Sequence, residues 1–275
     1  MRIALAQMQS GIDPRANTMA LVEAIEAAAK GGAAMLFTPE MSGLLDRNRG
    51  RAGAHIVPED QDIVLADVRK AAADYGIWVS LGSLALQGGS GGRLVNRSFL
   101  IDATGAVCAR YDKIHLFDVD LPNGESWRES VAYAPGTETV VADTPVGRLG
   151  LSICYDLRFP ALYAAMSASG ATILSIPAAF TVPTGKAHWH VLMRARAIEN
   201  AAWVVSAAQV GTHEDGRTTY GHSLVVDPWG EIVLDMGEQV GVGFAELGLS
   251  RCDEVRVQIP VLSHRRQIPE ALVAG

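Results

Sequence analysis

The sequence predicts an α/β protein whose β-sheets combine parallel and antiparallel strands. Short apolar runs alternate with segments of helical periodicity along most of the 275 residues, a pattern typical of α/β domains. Several neighbouring strand-like runs are separated by only a few turn residues, and connections that short join antiparallel strands. Composition does not change along the chain and no internal repeat is visible. We therefore interpret residues 1–275 as a single domain, with a more polar and irregular tail at 250–275.

Glycines and prolines delimit the elements of the first half of the chain. Asp13 and Pro14 supply an N-cap and a first helical residue, and the periodic run behind them stops after Lys30. A second helix is predicted from 60 to 75. We interpret the glycine-rich run 88–92 as a hairpin tip rather than a domain linker, because strand-like segments flank it closely. Strands are predicted at 3–8, 33–38, 77–81, 94–101 and 107–111.

A long segment without periodicity, residues 114–135, separates the two halves of the chain. Loops of that length inside a compact domain are usually functional. Beyond this segment, turn residues at 144–147 and 227–230 predict two further hairpins. Strands are predicted at 139–142, 148–153, 171–176 and 203–208 and within the hairpin 223–234, and helices at 160–169 and 186–199.

The composition excludes several classes of partner. A formal net charge of −7 and a pI near 5.5 argue against nucleic acid and anionic membranes. The three cysteines have the spacing of neither a disulfide framework nor a zinc site. Gln7 interrupts the apolar N-terminus too early for a signal peptide, and no apolar run approaches membrane-spanning length. We therefore expect a cytoplasmic protein whose partner is a small molecule.

Cys154 is the candidate nucleophile. It ends a strand-like run and is followed at once by a helix that opens at Pro160. In α/β proteins, reactive groups collect where strands end and helices begin. We expect the thiol to be partly exposed and close to the positive end of that helix, which would favour the thiolate. The alternative is a buried structural cysteine.

Two charged residues end other strand-like runs and complete a set with this thiol. Glu40 would act as the general base that takes the thiol proton, although it could instead be a turn residue or a surface N-cap. Lys113 would stabilise an oxyanion together with the backbone N–H of Tyr155, although most lysines lie on the surface. Glu129, at the end of the long segment, would lie beside Lys113 or position the hydrolytic water.

Histidine is not needed in this arrangement, although thiol proteases pair a cysteine with a histidine. His188 and His190 flank Trp189 on a predicted helix, and an i,i+2 pair points in different directions and suits a metal poorly. We therefore predict no metal site. His115, two residues after Lys113, is a candidate for lining the pocket.

Three ordered motifs now identify a resemblance. Thr38–Glu40, Tyr111–Phe117 and Cys154–Pro160 resemble the three signature regions of the nitrilase, or carbon–nitrogen hydrolase, superfamily, and the resemblance runs from Ile3 to about Arg266. It implies a four-layer α-β-β-α sandwich with two mixed β-sheets that forms a homodimer or a higher homo-oligomer, with 250–275 at the interface. It also implies a covalent thioester intermediate without a cofactor. The residues that it implies are Glu40, Lys113 and Cys154 as the catalytic triad and Glu129 as an auxiliary glutamate.

Other segments are similar to one branch of the superfamily. The stretches 117–124, 187–199 and 220–230 are similar to the deaminated-glutathione amidases, whose neighbouring branch is the ω-amidases that act on 2-oxoglutaramate. The resemblance implies an amide substrate whose far end carries a 2-oxo acid. The bulky, mixed-charge segment 125–128 departs from the pattern of the branch, and it lies in a loop that we expect to border the pocket.

We therefore predict an amidase that hydrolyses a non-peptide carbon–nitrogen bond. Arg158, one helical turn beyond the nucleophile, is the candidate for binding a substrate carboxylate, and a structural pair with Asp156 is its alternative. Phe180 and Thr181, which follow the predicted strand 171–176, are further candidates for the pocket lining. The alternative functions are a nitrilase or N-carbamoyl hydrolase with the same triad, and a catalytically silent scaffold that binds a partner.

Overall fold

Two six-stranded β-sheets form the centre of the molecule in the computed structural model, which describes residues 1–120, 124 and 126–273. Within these residues the helices are α1 (Pro14–Lys30), α2 (Arg49–Ala52), α3 (Ile63–Tyr75), α4 (Pro160–Ala168), α5 (Val182–Asn200) and α6 (Arg251–Gln258). The strands are β1 (Arg2–Gln7), β2 (Met35–Phe37), β3 (Trp78–Gln87), β4 (Leu94–Ile101), β5 (Val107–Asp112), β6 (Asp118–Asp120), β7 (Ser126–Arg128), β8 (Val140–Thr144), β9 (Gly147–Leu151), β10 (Ile173–Ser175), β11 (Trp203–Ser206), β12 (Val210–Thr212), β13 (Thr218–Tyr220), β14 (Leu224–Val226), β15 (Ile232–Asp235) and β16 (Gly241–Glu246).

Both large sheets are mixed, as the sequence predicts. The first has the order β16-β1-β2-β3-β4-β5, and the second has the order β15-β14-β11-β10-β9-β8. The strands β1, β2 and β3 are parallel, as are β9, β10 and β11, and antiparallel strands flank each trio. Each sheet therefore has an edge at which the carboxyl ends of parallel strands meet, and loops at such edges carry ligand sites.

The alternation of side chains along β1 separates the layers. Ala4 and Ala6 pack in one core cluster with α1 and α3, whereas Ile3 and Leu5 belong to a second cluster that includes the other sheet. Side chains of α4 and α5 cover the far side of that second sheet. The order is therefore helices, sheet, sheet, helices, and the predicted four-layer α-β-β-α sandwich is confirmed.

Local signals place most of the helix ends. Asp13 caps α1 by accepting a hydrogen bond from the Arg15 N–H, with Pro14 as its first residue. α3 begins at Ile63 rather than near 60, because Asp62 is its N-cap. The Asp62 carboxylate accepts a hydrogen bond from the Leu65 N–H. The glycine-rich run connects β3 to the antiparallel β4, as expected of a hairpin tip.

Other elements differ from the prediction. α5 begins four residues earlier than predicted, with Pro183 in its first turn. The predicted long loop contains the short hairpin β6–β7, although residues 121–123 and 125 of that segment lie outside the described residues. The tail is not wholly irregular, since α6 buries Cys252 and Val255. None of the described helices combines the length and the apolarity that crossing a membrane would require.

Candidate active site

The loops that follow β2, β5 and β9 bring Glu40, Lys113 and Cys154 together between the two sheets. Lys113 Nζ lies 2.8 Å from Glu40 Oε1, and the Cys154 thiol is close enough to both charges for each to shift its pKa. All three side chains are buried, with exposed fractions of 4% for Glu40, 2% for Lys113 and 8% for Cys154. Three residues that are distant in sequence therefore form one buried cluster, as the strand ends predicted.

Close backbone packing holds Glu40 in this position. The Gly82 N–H of β3 donates to Thr38 Oγ1, and a Cβ at Gly82 would lie 2.1 Å from the Thr38 carbonyl oxygen and 2.3 Å from that of Pro39. Glycine is therefore needed for β3 to approach the segment that leads to Glu40. The second carboxylate oxygen, Glu40 Oε2, accepts from the Ala179 N–H at 3.0 Å, which ties the glutamate to the other sheet.

Cys154 has a left-handed backbone, with φ of 46°, and opens a 3-10 turn that runs to Arg158. A non-glycine residue keeps such a conformation only where its surroundings impose it. Here the Cys154 N–H donates to the Pro177 carbonyl oxygen at 2.9 Å. The first N–H groups of a helical turn have no acceptor within the turn. The Tyr155 N–H is therefore placed to donate to a ligand beside the thiol.

The buried carboxylate of Asp156 fixes this turn from behind. It accepts from the Tyr111 hydroxyl at 2.7 Å, from the Ile153 N–H at 2.9 Å and from the His115 N–H at 3.0 Å. The His115 ring also contacts it, with Nδ1 at 2.7 Å. Asp156 is thus a structural anchor of the segment that presents Cys154, a role that its neighbourhood in the sequence did not indicate.

The prediction of a partly exposed thiol at the N-terminus of the following helix is wrong. α4 begins only at Pro160, so a separate 3-10 turn stands between the cysteine and that helix. Burial raises the pKa of Cys154 well above its usual value, and the negative charge of Glu40 raises it further. The charge of Lys113 opposes this shift without reversing it. The resting group is therefore a protonated thiol.

The two charged partners are stabilised in their ionised forms. Burial by itself would raise the pKa of Glu40, but the Lys113 charge and hydrogen bonds from Lys113, Cys154 and Asn96 outweigh it and lower the pKa. Burial by itself would lower the pKa of Lys113, but the charges of Glu129 and Glu40 raise it well above its usual value. At neutral pH the site therefore holds a carboxylate that can accept a proton, beside an ammonium that stays charged.

Glu129 lies beside Lys113, which is one of the two positions that the sequence analysis gives for it. Its carboxylate oxygens are 3.0 and 3.2 Å from Lys113 Nζ, and one of them accepts from the Phe117 N–H at 2.6 Å. Lys113 is therefore held between two glutamates, and the Phe117 N–H fixes the second of them.

Two groups in the cluster were missed by the sequence analysis. Asn96 lies in β4, where its Nδ2 donates to Glu40 Oε1 at 2.9 Å and to Glu129 at 3.3 Å. The only signal was a polar residue inside a strand of otherwise buried side chains. The other group is the Ala179 N–H, which donates to Glu40. It is a backbone donor, and backbone donors leave no signal in the sequence.

The candidate recognition residues occupy different environments. Arg158 does not pair with Asp156. Its guanidinium lies 3.2 Å from His188 Nδ1 and 5.6 Å from the centre of the Phe180 ring. Phe180 is buried and follows Ala179 directly, so this group adjoins the buried cluster.

Two other candidates are engaged within the protein. The Thr181 hydroxyl is 2.7 Å from that of Thr184 in the first turn of α5. The His115 ring stacks on Phe159 with centroids 3.6 Å apart, in addition to its contact with Asp156. Neither side chain is thereby excluded from a ligand, but each already has an internal partner.

Comparisons with known proteins agree on one family. A family model described as carbon–nitrogen hydrolase matches residues 2–257. A deaminated glutathione amidase from Yersinia enterocolitica is 42% identical over 266 residues, which are 96% of this chain and 92% of that protein. The crystal structure of the Caenorhabditis elegans NitFhit protein matches 96% of this chain with a TM-score of 0.89 and 42% identity, and the chain spans 65% of that longer one.

A further solved structure bears on the cysteine. It is a Glu-to-Gln mutant of an amidase from Nesterenkonia sp. AN1, which matches with a TM-score of 0.80 and 28% identity over 97% of this chain and 94% of that one. It shows the acetamide moiety of fluoroacetamide added covalently at the active site cysteine of that amidase.

Proposed function

The chain belongs to the carbon–nitrogen hydrolase family and is an enzyme that acts on carbon–nitrogen bonds other than peptide bonds, and from this premise we propose that it is a cysteine-dependent amidase whose triad is Glu40, Lys113 and Cys154. The observation that carries the proposal is the burial of a thiol, a carboxylate and an ammonium in one cluster, in which the carboxylate contacts the ammonium at 2.8 Å. A nucleophile, a base and a cationic oxyanion donor are the three groups that acyl transfer through a thiol requires.

The first half of the reaction forms a thioester. Cys154 Sγ adds to the amide carbonyl carbon while its proton passes to the Glu40 carboxylate. The resulting oxyanion is stabilised by the Lys113 ammonium and the Tyr155 N–H. The protonated Glu40 then gives its proton to the leaving nitrogen, the carbon–nitrogen bond breaks, and the amine departs. The high pKa of the thiol fits this order, because the proton needs to move only when the bond forms.

The second half hydrolyses the thioester. The ionised Glu40 takes a proton from water, the hydroxide attacks the thioester carbonyl, and the same two donors stabilise the oxyanion. The carbon–sulfur bond breaks, the thiol regains its proton, and a carboxylic acid is released. Glu129 holds Lys113 in place through both steps, with oxygens at 3.0 and 3.2 Å from Nζ.

The proposed substrate is deaminated glutathione or a related amide of a 2-oxo acid. The relative from Yersinia bears that name at 42% identity over nearly the whole chain. Arg158 supports it, since the guanidinium can bind the carboxylate of the 2-oxo acid end. Phe180, beneath that guanidinium, supplies an apolar wall. An ω-amidase activity on 2-oxoglutaramate would use the same contacts.

We also propose that the single domain assembles as a homodimer through its second sheet and its tail. Side chains of α5 and of the β14–β15 hairpin present an exposed apolar face, namely Val191, Ile198, Trp229, Ile232 and Val233. The tail adds exposed apolar residues, namely Val257, Ile259, Ile268, Leu272 and Val273. Several exposed apolar side chains on neighbouring elements are typical of an interface. A cytoplasmic site of action fits a catalytic thiol that must stay reduced.

The test of the proposal compares the three cysteines. Cys154→Ala should abolish amine release from a panel of 2-oxo acid amides, neutral amides, nitriles and carbamoyl compounds. Cys108→Ala and Cys252→Ala should each retain most of the wild-type rate, since one thiol is exposed and the other is buried within α6, outside the cluster. A similar loss in either control, with the fold intact, would contradict the assignment. A preference for nitriles or carbamoyl compounds would overturn the proposed substrate alone.

Trapping provides a separate test of the thioester. If hydrolysis of the intermediate is slowed by Glu129→Gln, intact-mass measurement after rapid quenching should show the acyl group on the protein. The adduct should be absent from the Cys154→Ala variant. A Glu129→Gln enzyme that still turns over without any adduct would favour direct attack by water.

A further inference from the structure

Outside the catalytic cluster, the side chains of His190, His222 and Asp235 converge at the surface of the second sheet. His190 Nε2 lies 3.1 Å from Asp235 Oδ2, and His222 Nδ1 lies 2.9 and 3.1 Å from the two oxygens of the same carboxylate. One ligand atom from each residue lies within 4.8 Å of the others. Two imidazole nitrogens and a carboxylate oxygen on one face are a ligand set for a transition-metal ion.

We propose that His190, His222 and Asp235 form a binding site for a divalent transition-metal ion, zinc by preference, with solvent completing its coordination. Around a tetrahedral zinc with bonds of about 2.0–2.1 Å, neighbouring ligand atoms lie about 3.3 Å apart. Each histidine nitrogen lies 2.9–3.1 Å from the Asp235 carboxylate, and the three ligand atoms lie within 4.8 Å of one another, so small side-chain shifts would bring them to this spacing. Two nitrogen ligands disfavour calcium and magnesium, which take oxygen.

The backbone holds His222 in place for this role. Its φ is 54°, a left-handed conformation that histidine adopts more readily than most residues. Its N–H donates to the Gly237 carbonyl oxygen at 2.7 Å, and its carbonyl oxygen accepts from Trp189 Nε1 at 2.8 Å. Both polar groups of the residue are therefore fixed, and the ring is directed at Asp235 without freedom of the main chain.

A backbone hydrogen bond also positions the Asp235 carboxylate. Asp235 Oδ1 also accepts from the Gly237 N–H at 2.9 Å. In the single chain the side chains of His190, His222 and Asp235 are 30%, 20% and 33% exposed, so an ion and its water can reach the site before two chains assemble.

The three proposed ligands come from different parts of the fold, so a bound ion would cross-link them. His190 lies in the middle of α5, His222 precedes β14, and Asp235 ends β15. The i,i+2 spacing of His188 and His190 disfavours a metal bound by that pair. In the fold, His190 instead lies beside His222 and Asp235, which are distant from it in sequence. A bound ion would therefore join α5 to the β14–β15 hairpin, beside Trp189, which packs on Phe180 with ring centroids 5.0 Å apart.

The test uses the full chain without an affinity tag, stripped with chelator and titrated with Co²⁺ and Zn²⁺. We expect one equivalent of Co²⁺ to give visible bands without the charge-transfer band of a cobalt–thiolate. Saturating Zn²⁺ should raise the unfolding temperature by about 5 °C when the free ion exceeds the Kd about 100-fold. His190→Gln, which can still donate to Asp235, and His222→Asn, which tolerates positive φ, should each weaken binding at least about 100-fold.

The controls decide between this site and others. His264→Ala removes an exposed histidine of the tail and should leave the titration unchanged. Asp235→Asn serves as a third variant if either histidine variant fails to fold without metal, as judged by circular dichroism. Full-strength binding in folded variants, or no binding to the wild type, would overturn the proposal. A cobalt–thiolate band that disappears in Cys154→Ala would place the ion at the catalytic thiol instead and would equally overturn it.

Discussion

The buried ammonium of Lys113 and the half-buried guanidinium of Arg158 have opposite electrostatic surroundings. Lys113 is enclosed by two glutamates, with three nitrogen–oxygen contacts of 2.8 to 3.2 Å. Arg158 contacts a histidine and an aromatic ring, and no carboxylate of the described residues lies within ion-pair distance of it. The charge of Lys113 is therefore balanced within the protein, whereas the charge of Arg158 is available to a ligand.

This difference indicates what each region can contribute to catalysis. A cation between two fixed carboxylates keeps its charge and its position, so it can stabilise an oxyanion without attracting an anionic substrate. A cation that lacks an acidic partner gains most when a carboxylate binds to it. The comparison therefore predicts that the cluster controls the chemical step and that Arg158 controls the choice of substrate.

The largest effect is expected from Lys113→Ala. Loss of one oxyanion donor typically costs about 10²–10³-fold in rate, and this donor carries a full charge. The variant also leaves Glu40 and Glu129 buried without their cation, so the free energy of unfolding should fall by about 3–5 kcal/mol. The measurement is kcat at a temperature at which circular dichroism shows a folded enzyme.

The matched control for that variant is Lys70→Ala, which removes an exposed lysine that pairs with Asp74 on α3. It should leave kcat at the wild-type value. If Lys113→Ala keeps a rate within about tenfold of wild type, Lys113 is not the oxyanion donor, and the contrast between the two cations fails.

A smaller and selective effect is expected from Arg158→Ala. A lost charge-assisted contact costs about 1.5–3 kcal/mol, or about 10- to 100-fold. This loss should raise KM for 2-oxoglutaramate and deaminated glutathione, which carry a carboxylate, while a neutral amide of similar size should be little affected. Arg148→Ala, a surface variant of the pair with Asp143, is the control. An equal loss for all three substrates would mean that Arg158 holds the turn rather than the substrate.

The acid limb of the pH profile tests the environment of the base. Glu40 must be ionised to accept the thiol proton, and the charge and hydrogen bond of Lys113 lower its pKa against the effect of burial. For a neutral amide, the acid limb of kcat/KM should therefore lie at lower pH than an unpaired glutamate would give. Asn96→Ala removes a hydrogen bond to the ionised form, so the pKa of Glu40 should rise and the decline should begin at higher pH.

The control for the shift is Asn200→Ala, a buried asparagine that contacts Ser167 and lies outside the catalytic cluster. Its acid limb should match that of the wild type. An Asn96→Ala profile that is unchanged, or displaced to lower pH, would show that Asn96 does not stabilise the ionised carboxylate.

The sequence predicted the parts of the molecule that depend on local signals. The helix ends at Pro14 and Gly76 follow from capping and from a positive φ, and the mixed sheets follow from the hairpins. Glu40, Lys113 and Cys154 are predictable as site residues because each lies at the end of a strand-like run. Their place in one cluster then depends only on strands whose ends meet.

The rest depends on contacts that the sequence does not encode locally. β16 pairs with β1 across the whole chain, and nothing near Gly241 indicates that partner. Asn96 acquires its role only when β4 is placed beside the loop after β2. The expectation of a thiolate at Cys154 is wrong for the same reason, because burial in the folded protein raises the pKa of the thiol.

The smallest effect is expected from Thr181→Val, which separates two interpretations of a residue that precedes α5. The Thr181 hydroxyl is 2.7 Å from the Thr184 hydroxyl, so its hydrogen-bonding capacity is used within the first turn of the helix. Loss of that bond should lower the free energy of unfolding by about 0.5–1.5 kcal/mol and change kcat/KM by less than about fivefold. Thr181→Ser keeps the hydroxyl and should match the wild type in both measurements. If Thr181→Val instead raises KM for the carboxylate-bearing amides as strongly as Arg158→Ala, with its unfolding temperature unchanged, the hydroxyl binds substrate. The recognition region would then extend from Arg158 onto the start of α5.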